Sequence, residues 1–245
     1  METRMFKVHA KGDPSVALKV IPGHFATNHS HINYYIDLTT LKARQNEAQA
    51  AARLLAYYSN YSIVDTIVCL DGCEVIGAYL AEELTKAGIR SINEHNTIYI
   101  ATPEYHTGGQ LIFRDNMQLM VRDKNILLLL ATATTGKTLN QSIECIEYYG
   151  GKISAINAIF SAVDKAHSVP VNAIFTRKDM PDYQTYSFRD CPPVPEAGEG
   201  RCHCQYLRLQ QALKPNESKS RLQSKKQRTV RLFFLSRKSW KMLIL

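Results

Sequence analysis

The segment Ala131-Thr-Ala-Thr-Thr-Gly-Lys-Thr138 gathers the residue types that hold a phosphate: hydroxyls at Thr134, Thr135 and Thr138, a glycine at Gly136 and an ammonium at Lys137. It lies between a continuous aliphatic run, Ile126 to Leu130, and a segment of helical periodicity from about Leu139 to Tyr149, closed by Gly150-Gly151. A helix that starts just after a buried strand leaves the N–H groups of its first turn unpaired and facing the loop. Together with the helix dipole they favour an anion, and a glycine lets the backbone approach it closely. A capped turn without a ligand accounts for one threonine, but not for four with a glycine and a lysine.

A second loop, Asp71-Gly72-Cys73-Glu74, follows the β-rich run Asp65 to Leu70 and opens a helix from Glu74 to Lys86, ended by Gly88. Cys69 and Cys73 bracket that corner, where a C-x3-C pair is more often packing than redox chemistry. His24, His29 and His31 cluster with no carboxylate or cysteine at ligand spacing, and Cys202-His203-Cys204 has no partner pair; neither reads as a metal site.

Between and around these loops, residues 40 to 58 read as one amphipathic helix after a short strand, Tyr34 to Asp37. Asn96 to Ala101 is a further strand candidate, and Pro103 to Asn116, with the Gly108-Gly109 pair, has the composition of a mobile loop. Ile153 to Phe160 and Val169 to Phe175 complete the order β-α-β-loop-β-α-β-β. Such alternation predicts an α/β fold with an open, mainly parallel sheet, helices on both faces and ligands at the carboxyl ends of the strands.

The formal charge of +8 needs to be located before it is read as affinity for nucleic acid. From position 193 onward there are 12 Lys/Arg against 3 Asp/Glu, a charge of +9, so residues 1–192 sum to −1. The expected organisation is a domain over 1–192 and an irregular basic tail over 193–245 that carries no stable period. Neither nucleic acid nor membrane is expected as a partner. The start METRMFKVHAKGDP lacks signal-peptide character, and the six cysteines form no disulfide framework, so a cytoplasmic location is expected. The tail also invites a test against the genetic code. Back-translated with permitted codons and displaced by one nucleotide, PVPEAGEGRCHCQYLRLQQALK can give LCRKRGKVDAIVNTYGYSKL followed by a stop, which points to an out-of-frame tail. Sequencing the DNA across the codons for Cys191 to Pro195 tests this.

Two readings compete for Ala131 to Thr138. As a nucleotide-binding P-loop, Ala131-x4-Gly136-Lys137-Thr138 has alanine at the first glycine position and no downstream strand ending in a magnesium-holding aspartate. Read the other way, Thr134-Thr135-Gly136-Lys137-Thr138 resembles the 5-phosphoribosyl-1-pyrophosphate (PRPP) motif of the type I phosphoribosyltransferases, and more of the chain follows suit. DTIVCLDGCEVIGAYLAEEL resembles that family's pyrophosphate-loop strand and helix, HFATNHSHINYYIDL the amino-terminal substrate segment of its orotate enzymes, and IFSAVDKAHSVPVNAIFT a late strand, turn and strand. The resemblance covers about Gly23 to Phe175.

It implies a pentosyltransferase that joins ribose 5-phosphate to a base such as orotate, releases pyrophosphate, uses Mg²⁺ and works as a homodimer. By the same resemblance Thr134 to Thr138 hold the 5′-phosphate, Asp71, Gly72, Cys73 and Glu74 the pyrophosphate and Lys165 the base, while Pro103 to Asn116 form the lid. Leu130 and Ala131 stand where the family carries two carboxylates, so the resemblance assigns no catalytic residue and no metal ligand. Two lost charge-assisted hydrogen bonds amount to roughly 3 to 6 kcal/mol. The alternatives are a weakly active enzyme, a non-catalytic sensor of PRPP or nucleotides, and the P-loop NTPase.

Overall fold

A computed structural model describes residues 5–27, 30–86, 92–93, 96–106 and 110–187. The expectations for Gly88, Gly108-Gly109, His29 and the tail from 193 fall outside the described residues.

The chain opens with three antiparallel strands, β1 (Phe6–His9), β2 (Ala17–Ala26) and β3 (His31–Asp37). Two helices follow, α1 (Thr39–Ala43) and α2 (Gln45–Ser59), then β4 (Thr66–Cys69), α3 (Glu74–Thr85) and β5 (Tyr99–Ala101). A small hairpin, β6 (Glu104–Tyr105) and β7 (Leu111–Ile112), leads through α4 (Asp115–Gln118) into β8 (Asn125–Ala133), α5 (Lys137–Tyr148) and β9 (Lys152–Ser161). The described part ends with β10 (Lys165–Ala166), β11 (Val169–Thr176) and β12 (Thr185–Tyr186).

The main sheet has the order β10-β11-β9-β8-β4-β5, parallel throughout except for the edge strand β10. Helices lie on both of its faces, as the alternation of the sequence predicts. β8 is central because its aliphatic side chains have no polar face to turn to water: Leu127, Leu128 and Leu129 are fully buried. On one face Leu128, Leu130 and Ile156 pack with Leu139, Ile143 and Ile146 of α5. On the other, Asn157 of β9 donates to the Ser59 hydroxyl at 2.7 Å and so pins α2 to the sheet. At the foot of the sheet Asp65 accepts from the Asn125 backbone N–H at 2.7 Å and from its side-chain amide at 2.8 Å, which fixes the register of β4 against β8.

Three expectations are corrected, and one feature was not foreseen. The single helix over 40 to 58 is two, because Arg44 adopts an extended ψ of 127° and its carbonyl accepts from Ala48 to begin α2. Burial of Leu41 and contact with α3 hold α1 as a separate short helix. The loop over Pro103 to Asn116 is partly ordered: β6 and β7 pair, with Glu104 opposite Ile112, and Arg114 bonds Glu104 at 2.6 Å. β8 runs three residues beyond Leu130, so Ala131 to Ala133 belong to the strand rather than to the phosphate loop. Finally, a second sheet, β1-β2-β3-β12, precedes the alternating core and is completed by a strand that follows it.

The link between β9 and β11 is unusual for a parallel pair, since only residues 162–168 join them and no helix crosses over. Within it β10 and β11 form a two-residue hairpin, with His167 and Ser168 both at positive φ, 44° and 69°.

Candidate functional site

At the carboxyl end of β8 the chain turns through Thr134 and Thr135 into Gly136, which sits at φ 76° immediately before α5. The Gly136 carbonyl accepts the first helical bond, from Asn140 at 2.8 Å. No side chain caps this end of α5, so the N–H groups of its first turn face the loop with the hydroxyl-bearing residues Thr134, Thr135 and Thr138 beside them. Lys137 is exposed. The Ala133 carbonyl accepts from Ala162 at 2.7 Å, which ties the loop to the end of β9.

The neighbouring strand β4 ends at the same level. Its register with β8 runs from Thr66 opposite Ile126 to Cys69 opposite Leu129, and Leu70 donates to Leu129 at 2.8 Å. Asp71 and Gly72 then turn the chain through two left-handed residues, φ 56° and 76°, into α3. Burial pushes the pKa of the Asp71 carboxyl up, while the Lys42 ammonium and the backbone N–H groups of Ala131 and Thr132 oppose that rise. The Asp71 loop therefore starts beside β8, the strand that leads into the threonine loop.

Lys42 of α1 also donates to the Asp71 carbonyl, and its Nζ lies 3.6 Å from where a side chain on Gly72 would begin. Nothing local in the sequence marks this lysine, because its partner is 29 residues away and it lies on the short helix that ends at the break at Arg44. Tyr105 of the hairpin, not foreseen from the sequence, feels the same group: burial and then the charge of Asp71 push its phenol pKa up. Glu74 accepts from the Thr102 hydroxyl at 3.3 Å. Cys73 is buried and its thiol is pushed up to about 12 by that burial, in keeping with a packing role.

Leu130 and Ala131 are 1% and 4% exposed, so β8 itself presents no polar side chain at those two positions. Lys165 is not brought to the cluster. It pairs with Pro170, next to Val171, which is level with Ile156 and hence with Leu128, well short of the carboxyl end of β8, and β11 and β9 stand between. His24 and His31 approach to 3.1 Å in the amino-terminal sheet, and among the described residues no group of three or more His, Cys, Asp or Glu is placed to hold a metal.

No family profile and no curated protein matches the sequence. Solved structures do. UMP synthase of Leishmania donovani superposes with a TM-score of 0.50 at 16% identity, over 66% of this chain and 34% of that one. The orotate phosphoribosyltransferase of Aeropyrum pernix gives 0.47 at 18% identity over 65% and 88% of the two chains. The adenine phosphoribosyltransferase of Thermoanaerobacter pseudethanolicus gives 0.45 at 12% over 71% and 96%. The chain has the type I phosphoribosyltransferase fold. The threonine loop follows a central parallel strand of that fold, and the Asp71 loop follows the neighbouring strand. No helix among the described residues is long and apolar enough to cross a membrane.

Proposed function

We propose that the protein transfers ribose 5-phosphate from PRPP to a base of the orotate kind, with release of pyrophosphate. The observation that carries the proposal is the uncapped start of α5 behind Gly136, with four threonines in the strand, loop and first helical turn around it, set in a phosphoribosyltransferase fold. Thr134 to Thr138 hold the 5′-phosphate through backbone N–H groups and hydroxyls. The loop from Asp71 to Glu74, with the Lys42 ammonium at its side, meets the pyrophosphate end.

Magnesium fits this site as a cation that arrives on the substrate. A Mg²⁺ ion keeps several waters and takes one or two protein carboxylates with the phosphates, and Asp71 and Glu74 are the carboxylates at the loop. Bound there, it neutralises charge developing on the pyrophosphate. Lys165 is left out of the proposed base site because of its place on the sheet edge. The family resemblance adds a homodimer, which sedimentation of the full chain checks.

A second reading is favoured by one observation, the apolar burial of Leu130 and Ala131: a protein that binds PRPP or a nucleotide without transferring it. One experiment separates the two. The full chain is mixed with PRPP, Mg²⁺ and a panel of bases that includes orotate. Formation of a nucleotide with release of pyrophosphate supports the transferase; saturable binding of PRPP without product supports the sensor. ATP hydrolysis abolished by Lys137→Ala, with no PRPP binding, would replace both with an NTPase.

A further inference from the structure

After β11 the chain turns at Asp179 and crosses from the main sheet to the amino-terminal one through Met180 to Tyr186. The Asn33 side chain of β3 grips this crossing twice, donating to the Asp182 carbonyl at 2.6 Å and accepting from the Gln184 N–H at 2.8 Å. The Asn33 N–H also donates to the Gln184 carbonyl at 3.3 Å, and Thr185 and Tyr186 pair with Ile32 and His31. Pro181, Asp182 and Gln184 are exposed, so water competes for these bonds. Met180 and Tyr183, each 4% exposed, are the buried anchors of the segment.

The Tyr183 ring lies edge-on against Phe160, with centroids 4.9 Å apart. Phe160 stands near the carboxyl end of β9, level with Thr132 of β8. The Tyr183 hydroxyl is buried with the ring but bonds no protein group among the described residues. A hydroxyl that has shed water without gaining a bond opposes the closed arrangement, because opening returns water to it. The ring therefore favours closure and the hydroxyl opposes it. We propose that Met180 to Tyr186 form a strap that opens as a unit while both sheets stay folded, with Asn33 as its clasp and the Tyr183 hydroxyl favouring release. Opening uncovers Phe160 and the carboxyl end of β9, the strand end to which the threonine loop is tied by the bond from Ala162 to Ala133. The strap stands whether or not the ligand is a phosphoribosyl compound.

Amide hydrogen exchange on the full chain tests it. The reporters are the N–H at position 33, bonded to the Gln184 carbonyl, and the Tyr183 N–H, bonded to the Met180 carbonyl at 3.0 Å. In the wild type both exchange faster than the N–H groups of β8, because the strap opens without the sheet. Tyr183→Phe slows both by roughly 5- to 100-fold, the worth of relieving a buried unpaired hydroxyl. Asn33→Ala speeds both. If that variant does not fold, Asn33→Asp, which keeps the acceptor for Gln184 and loses the donor to Asp182, does the same. Reporters that exchange no faster than β8 overturn the proposal, since the strap then opens only with the whole fold. Tyr183→Phe that exchanges as the wild type does, as a trapped water bonded to the hydroxyl would make it, or faster, also overturns it. So does an Asn33 variant that folds and leaves both reporters unchanged.

Discussion

Gly136 is a residue whose task is set by conformation and not by space. Its φ is 76°, yet the nearest atom to an added Cβ is Val163 Cγ1 at an ordinary 3.8 Å. Alanine there meets no clash but must enter the left-handed region, at a cost of about 1–2 kcal/mol. Relief of that strain by a shift in φ turns the first N–H groups of α5 away from the loop. Gly136→Ala is therefore expected to lower stability by that amount in urea melts and to weaken inorganic phosphate in calorimetry. Gly136→Asn, a residue that tolerates this conformation better, retains more of both. Gly77 is the converse case. A Cβ there would lie 2.5 Å from the Cys69 sulfur, so Gly77→Ala is expected to cost about 1–3 kcal/mol by overpacking. Adding Cys69→Ala removes the obstructing atom. Strict additivity of the two substitutions in a double-mutant cycle would show that the sulfur is not the cause.

Among the elements, the turn after β11 is held by one carboxylate. Asp179 accepts from the Thr176 N–H at 2.9 Å and its hydroxyl at 3.2 Å, and from Lys11 at 3.0 Å. Burial would raise its pKa, but these donors outweigh burial and hold the carboxyl below the ordinary value of 3.8. Because the folded-state pKa is the lower one, the stabilisation is complete above that ordinary value and disappears as pH falls through the folded-state value. Asp179→Ala is expected to cost about 1–2 kcal/mol at pH 7, nearly all from Thr176, since Lys11 is an exposed partner. The gap between variant and wild type in urea melts should narrow at pH 3; a gap that stays constant argues for packing instead. The elements also divide by how readable they are in the sequence. β8, the threonine loop and α5 announce themselves because each signal is local: an aliphatic run, small residues, then helical spacing. The amino-terminal sheet does not, because β2 contains Pro22 and Gly23 and its partner β3 is completed by β12, some 150 residues later. Lys42 was equally silent, since what makes it part of the site is the arrival of Asp71 from another element.

For the molecule as a whole, two thiols report on global opening. Cys69 and Cys73 are fully buried, and at pH 8 a thiol with a pKa near 12 is thiolate on the order of one part in ten thousand. Alkylation read by peptide mass mapping should leave both untouched in the folded protein and reach them together as urea unfolds it. Labelling of Cys73 alone under native conditions would mean that the Asp71 loop opens by itself. The short link between β9 and β11 bears on how the sheet comes together. Val171 and its partner Ile156 are 15 residues apart along the chain, whereas Thr66 and Ile126 are 60 apart. Closing the longer loop costs about 1.2 kcal/mol more in chain entropy. The threonine loop belongs to the half of the sheet that closes cheaply, and Asp71 to the half that must travel. Assembly of the proposed cleft is thus tied to the most expensive strand pairing in the main sheet, and under the phosphoribosyl reading proposed above a ligand that bridges the two halves would act as a staple across that seam.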